Sequence, residues 1–176
     1  MQLKWQNLVE KSHNPSFKLT ILKILLTGIT GQLGRELENV LSKEWEILPV
    51  SSKEMDFTDE SSIRSVIRES QADLIINPAA YTKVDLAEIE KKLAFAINGK
   101  APRIIAEEAK ALNIPLIHFS TDFVFDGKKS TPYLETDTPS PINVYGLSKL
   151  EGEKAIQEVD GAVSYTHLTL PTKRIV

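Results

Sequence analysis

Tyr145 and Lys149 lie four residues apart in the run Asn143-Val144-Tyr145-Gly146-Leu147-Ser148-Lys149. On a helix that spacing puts both side chains on one face, a single turn apart. An ammonium beside a phenol favours the phenolate, so such a tyrosine can give a proton to a carbonyl oxygen, or take one from an alcohol, nearer neutral pH. This is the proton chemistry of a ketone reductase, although two neighbours on a solvated helix present the same spacing. A second group that could serve it is the hydroxyl pair Ser120-Thr121, which ends an apolar run and precedes Asp122-Phe123-Val124-Phe125-Asp126-Gly127. A hydroxyl there is placed to hydrogen-bond a carbonyl that gains negative charge. The plainer reading makes Ser120, Thr121 and Asp122 strand-end caps and Phe123 and Phe125 packing. His118, inside the apolar run, reads as a core histidine.

Chemistry of that kind needs a hydride source, and the segment Thr27-Gly28-Ile29-Thr30-Gly31-Gln32-Leu33-Gly34 has the form of a dinucleotide loop. It follows a short apolar run and opens into a helical pattern. Gly28 would permit the tight turn, Gly31 a close approach to pyrophosphate and Gly34 close packing of the helix, whose positive end faces the phosphates. A glycine-rich corner that only joins strand to helix is the plainer alternative. The second strand ends in Val50-Ser51-Ser52-Lys53, where two hydroxyls and a lysine stand in place of the acid that holds a ribose 2′-hydroxyl. NADPH is therefore expected, with NADH as the alternative, because Glu54 and Asp56 stand close by. Asp56-Phe57 is read as flanking the adenine, and Asn77-Pro78-Ala79-Ala80-Tyr81 as small residues that let the cofactor lie close at the carboxyl edge of the sheet.

The elements that must position these groups follow from periodicity. Short apolar runs at Lys23–Thr27, Glu46–Val50, Leu74–Asn77 and 115–120 read as buried strands. Between them Gln32–Leu41, 61–70, 84–98 and 101–112 carry apolar residues at helical spacing, and a last helix is expected over 145–159. This alternation predicts an α/β fold, a doubly wound parallel sheet of the Rossmann-like kind. Residues 1–22 are read as an N-terminal extension, 23–162 as the nucleotide-binding domain and 163–176 as a non-native tail.

With 176 residues the chain can bury one good core. Its net charge of -3, with basic residues scattered, gives no footprint for nucleic acid. It has no cysteine, so disulfides and thiolate metal sites are excluded, and its three histidines are too dispersed to suggest a metal site. No apolar run approaches the roughly 20 residues that cross a bilayer, and a cytoplasmic protein is expected.

Taken in order, five blocks resemble the extended short-chain dehydrogenase/reductases and, within them, the dTDP-4-dehydrorhamnose reductases. They are Lys23-Ile24-Leu25-Leu26-Thr27-Gly28 through Gly34, Asp56-Phe57-Thr58-Asp59, Asn77-Pro78-Ala79-Ala80-Tyr81-Thr82, Ser120-Thr121 through Gly127, and Val144 through Lys149. The third and fourth are much narrower than the first and last, which the whole superfamily shares. The resemblance implies Tyr145 as the acid, Lys149 as the residue that holds the nicotinamide ribose, and Thr121 as the third catalytic member. It implies that Gly31, Gln32, Leu33, Asp56, Phe57, Ala79, Ala80, Tyr81 and Lys149 contact the cofactor. The reaction it implies is hydride transfer from NADPH to the C4 ketone of dTDP-4-dehydro-L-rhamnose, giving dTDP-L-rhamnose for cell-surface polysaccharide. A homodimer is one expectation for a full-length protein, with the oligomeric state otherwise undecided.

Two further readings stand beside it. One is a non-catalytic module like the regulatory beta subunit of methionine adenosyltransferase, and the other is a different reductase or epimerase of nucleotide-sugars. The resemblance covers about 23–159, and the sequence is expected to be truncated before a sugar-nucleotide domain. Residues 163–176 resemble the in-frame translation of a sequencing adapter and are left out of the fold, although 163–170 also alternate as an edge strand would.

Overall fold

The structure, a computed structural model, describes residues 21–134 and 136–162 and the backbone of 163–168. A parallel sheet of five strands in the order β2-β1-β3-β4-β5 is built from β1 (Lys23–Thr27), β2 (Glu46–Val50), β3 (Leu74–Asn77), β4 (Leu116–Thr121) and β5 (Val163–Leu168). The strand order reverses direction between β1 and β3, and in a doubly wound sheet ligands bind beyond the carboxyl ends at that point. The helices between strands are α1 (Gln32–Leu41), α2 (Glu60–Ser70), α3 (Val84–Ala87), α4 (Lys91–Phe95), α5 (Ala101–Ala111) and α6 (Val144–Val159). None is long and apolar enough to cross a membrane among the described residues.

Burial on both faces explains why the strands read as unbroken apolar runs. Leu25, Ile75 and Leu116 pack on one face with Ile63 and Ile67 of α2, Ile104 and Ile105 of α5 and Ile156 of α6. Ile24, Leu26, Leu74 and Ile76 turn to the other face, where Leu37 and Leu41 of α1 and the half-buried Ile117 and Phe119 meet them.

The sequence separates a helix over 84–98 from another over 101–112. In the structure α4 instead runs on through a π turn, Ala96–Lys100, into α5. Pro102 falls in the first turn of α5, which tolerates proline without a break.

Residues 1–20 and 169–176, which take in most of the extension and the end of the tail, lie outside the described residues. The sequence reading left 163–176 out of the fold. The structure instead continues the sheet through β5, paired parallel to β4 from Leu116 with Val163 to Thr121 with Leu168. The physical reason is the alternation of that segment, which suits an edge, and the row of free backbone groups that β4 offers.

Helices α2 and α5 are locked by ions as well as by their apolar faces. Glu108 of α5, 2% exposed, accepts from Arg64 at 2.6 Å and from Arg68 at 2.7 Å, and Arg64 also reaches Glu60 and Glu107. The hydrogen bond from Arg68, with help from Arg64 and against burial, holds the Glu108 carboxyl below its usual 4.5. Because the folded value lies under the unfolded one, the pairing contributes fully above about pH 4.5 and is lost as pH falls through the folded value. Replacing Glu108 by Ala is expected to cost about 2 kcal/mol, since two guanidinium groups lose a buried acceptor and only partly rehydrate. Urea unfolding at pH 7 checks this, and an unchanged midpoint would count against the ionic lock.

Candidate functional site

Helix α6 carries the proton-handling groups, and its start is fixed from two sides. Asn143 caps it, its side-chain oxygen accepting the Gly146 N–H at 2.7 Å, and Glu88, just after α3, accepts the Val144 N–H at 2.7 Å. Gly146 is required by close approach, because a Cβ there would lie 2.1 Å from the Phe123 carbonyl oxygen. The helix can therefore press against the 3-10 turn Asp122–Val124 that follows β4. That contact brings Tyr145 edge-on to Phe123, with ring centroids 5.5 Å apart.

Thr121 ends β4 beside this turn. Its hydroxyl accepts the Phe123 N–H at 3.2 Å, as a strand-end cap, donates to the Asp122 carboxylate at 3.2 Å, and stands near enough to the Tyr145 phenol to lower its pKa. Both readings of Thr121 thus hold together. Burial pushes the Tyr145 phenol above its usual 10.0, the Thr121 hydroxyl opposes that rise, and the Asp122 carboxylate adds to it. The sequence led us to expect an ammonium that draws the phenol towards neutrality. Instead Lys149 is spent elsewhere, its Nζ donating to the Phe119 carbonyl at 2.6 Å and lying 3.3 Å from His118 Nε2. Burial brings Lys149 itself down to about 8, against the pull of Glu153 one turn further along α6. A phenol held above its usual range is fully protonated at neutral pH, which suits donating a proton more than taking one.

Beneath the site runs a row of buried polar groups. Thr27 of β1, Asn77 of β3 and His118 of β4 lie side by side across the sheet, Asn77 and His118 being register partners. Thr27 Oγ1 is 2.6 Å from Asn77 Oδ1, and Asn77 Nδ2 is 3.1 Å from His118 Nδ1. The chain closes on Lys149. His118 is the core histidine expected, but one with polar partners on both ring nitrogens.

The glycine loop stands at the switch point. Gly28 has φ +61° and sits so close to the end of β3 that a Cβ would lie 2.8 Å from Ala79 Cα, so only glycine fits. A Cβ on Gly34 would strike the Gly28 carbonyl at 2.2 Å, so this glycine packs the helix on the loop more than on the sheet. Gly31 is the N-cap of α1 and supplies no side-chain cap, and Gln32 and Leu33 open the helix. In α2, by contrast, Asp59 accepts the Ser61 N–H at 2.9 Å. An uncapped first turn above a glycine cradle leaves backbone N–H groups for an anion.

The other expected cofactor residues divide. Ala79 and Ala80 stand half-buried at the same rim as Gly28. The exposed Asp56 carboxylate accepts from the Thr58 backbone at 2.8 Å and its hydroxyl at 2.7 Å, and Phe57 packs against the core. Tyr81 is buried in a cluster with Ala87, Ala94 and Val144, and its hydroxyl donates to Glu90 at 2.5 Å. Burial first, and then Glu90, push that phenol up to about 12. Its ring is thus a packing piece, which leaves only its backbone for the rim. At the tip of β2 the sequence shows no acid, yet the Glu54 carboxylate folds back to accept the Ser51 N–H at 2.8 Å and the Ser51 hydroxyl.

Sequence reasoning missed Asn98, Glu88 and Glu153. Asn98, in the π turn, accepts the Tyr81 N–H at 2.8 Å and donates to the Tyr81 carbonyl and to Ser148 Oγ, each at 3.0 Å, so it braces the rim against α6. Nothing in its neighbourhood signals this. Glu153 was within reach, since it continues the Tyr145–Lys149 stripe by one turn; it is buried and accepts from Ser120 Oγ.

Residues 22–167 match the family model described as the RmlD substrate binding domain. The chain is 41% identical over 140 residues to a dTDP-4-dehydrorhamnose reductase of Burkholderia thailandensis, covering 80% of this chain and 47% of the relative. It is 44% identical over 135 residues to a protein of the same name from Sinorhizobium fredii, covering 77% and 46%. A solved structure of dTDP-4-dehydrorhamnose reductase from Bacillus anthracis in complex with NADP superposes with a TM-score of 0.79 at 37% identity, over 83% of this chain and 52% of that one. The chain spans about half the length of the curated relatives it matches.

Removing the Thr121 hydroxyl should raise the Tyr145 phenol further, because the one group that lowers it is lost. Tyrosine ring carbon shifts followed by NMR through alkaline titration of Thr121→Val check this. A Tyr145 transition that stays put or moves down would break the assigned contact.

Proposed function

The chain belongs to the RmlD substrate binding domain family, and on that premise we propose that a full-length protein carrying it is an NADPH-dependent reductase of the C4 ketone of dTDP-4-dehydro-L-rhamnose, working in the cytoplasm. The product is dTDP-L-rhamnose, and residues 23–162 are the cofactor-binding portion. The observation that carries this reading is the placing of Tyr145, edge-on to Phe123, and of Thr121 at the carboxyl edge of the sheet on which the Gly28 cradle also stands.

The residues present fit a dinucleotide. Gly28, Gly31 and Gly34 with the uncapped start of α1, where Gln32 and Leu33 supply backbone N–H groups, would hold its phosphates. Asp56, Phe57, Ala79, Ala80 and Tyr81 would line its adenine side and the rim, with Phe57 and Tyr81 as supports from behind. When bound, the nicotinamide supplies hydride. Tyr145 gives its proton to the carbonyl oxygen of the substrate as negative charge develops there, and Thr121 steadies both oxygens. Lys149 would hold the nicotinamide ribose with the N–H that Phe119 and His118 leave free.

Two outcomes are expected. Tyr145→Phe in the full-length protein should abolish coupled NADPH consumption with the dTDP-4-keto sugar while leaving cofactor affinity close to wild type; retained turnover would refute the assignment. At the β2 tip Glu54 stands where a 2′-phosphate would approach Ser51, Ser52 and Lys53. Glu54→Gln should tighten NADPH binding about threefold to tenfold, the scale of one screened like charge, and leave NADH nearly unchanged. Fluorescence titration of both cofactors decides this. A wild-type preference for NADH of about tenfold or more would overturn the NADPH assignment.

A further inference from the structure

His118 is fully buried, and each of its ring nitrogens meets a single partner, Lys149 at Nε2 and Asn77 at Nδ1. A neutral imidazole has one N–H and one lone pair, so its two partners cannot both be donors or both be acceptors. If Lys149 is an ammonium, it donates to Nε2. The ring proton is then on Nδ1 and needs an acceptor, which Asn77 provides when its amide is turned end for end, its NH₂ then donating to Thr27 Oγ1. If Lys149 is a neutral amine, its lone pair takes the Nε2 proton. Nδ1 then accepts from Asn77 Nδ2, and the Thr27 hydroxyl donates to Asn77 Oδ1. Both arrangements satisfy every group in the row, but only the ammonium dictates one of them: against an Nε2-protonated ring it would set two N–H groups face to face inside the protein, whereas a neutral amine, with N–H and lone pair alike, accommodates either tautomer.

From this geometry we infer that His118 is a positioning residue for Lys149, its ring held Nδ1-protonated by Asn77 and Thr27 so that Nε2 accepts from the ammonium. The inference deepens the reductase reading, since Lys149 belongs to that site. A doubly protonated ring has no place in the scheme, and burial with the nearby Lys149 keeps His118 well below its usual value.

The titratable groups that act on Lys149 are Glu153 on its own helix and His118 on β4; across the mouth, Asp122 acts on Tyr145. The Phe119 carbonyl accepts from Lys149 in either charge state and fixes the amine. An ammonium deprived of the His118 lone pair would keep fewer acceptors and titrate lower.

Long-range proton–nitrogen NMR on histidine-labelled protein tests the tautomer without turnover, the His118 signals being assigned by their loss in His118→Gln. Below the Lys149 transition the ring should be protonated on Nδ1. In parallel, the Lys149 side-chain carbon should titrate about one pH unit lower in His118→Phe and close to wild type in His118→Gln, whose amide oxygen restores an acceptor. In the full-length protein the alkaline limb of kcat/KM should move by the same amount. A ring protonated on Nε2 below the Lys149 transition overturns the proposal, as does a folded Phe variant that titrates like wild type. Should the Phe variant fail to fold, the wild-type tautomer and the Gln variant decide the matter. Absence of turnover in the wild-type protein would overturn the reductase reading alone, because the NMR measurements still judge His118.

Discussion

An ammonium in a protein interior has to be given acceptors, and Lys149 is 2% exposed. Taking such a charge out of water costs on the order of several kcal/mol unless good partners replace the lost hydration. The surroundings are arranged to supply them. The Phe119 carbonyl leaves the β4 ladder side to accept, His118 presents a ring nitrogen, and Glu153 adds opposite charge from the next turn. Each supplier must in turn be held: His118 by Asn77, Asn77 by Thr27, Glu153 by Ser120. Three strand ends and one helix are thereby brought into register by one side chain, and the loops that leave those strand ends form the rim of the site.

Much of this was legible because it rests on short-range constraints. The strands are buried on both faces and read as apolar runs, so β1, β2 and β3 begin and end where the sequence places them. Gly28 and the uncapped start of α1 were readable because a left-handed turn and an anion-facing helix end have few compatible residues. Tyr145, Lys149 and Thr121 fall on the elements expected of them. The role of Phe57 and Tyr81 was less legible, since an aromatic residue that lines a ligand and one that fills a core have the same sequence signature.

What stayed hidden depends on contacts between residues far apart in the chain. The spacing of Tyr145 and Lys149 gave a lowered phenol, whereas its burial against Phe123 raises it, and burial by a neighbouring element cannot be read from spacing. The folding back of Glu54 onto Ser51 reverses the local charge at the β2 tip through a turn that the residues Ser51-Ser52-Lys53-Glu54 do not announce. The bracing role of Asn98 requires knowing that Tyr81 and Ser148 flank it. The matched family is described by its substrate domain, whereas the residues matched here form a parallel sheet with the Gly28 cradle at its switch point.

The π turn at Ala96–Lys100 sets the rotational phase of everything that follows it. One residue more per turn than an α-helix holds turns the helix by about 100° relative to an unbroken one. Helix α4 therefore presents Ala94 towards Tyr81 and Val144, while α5, leaving the same axis, presents Ile104, Ile105 and Ala109 towards the sheet. Deleting a single residue within the turn would restore regular winding and swing that apolar stripe off the sheet, carrying Glu108 away from Arg64 and Arg68. The segment thus acts as a gear between two packing surfaces, and its length is bound to the fold as tightly as the identity of any core residue.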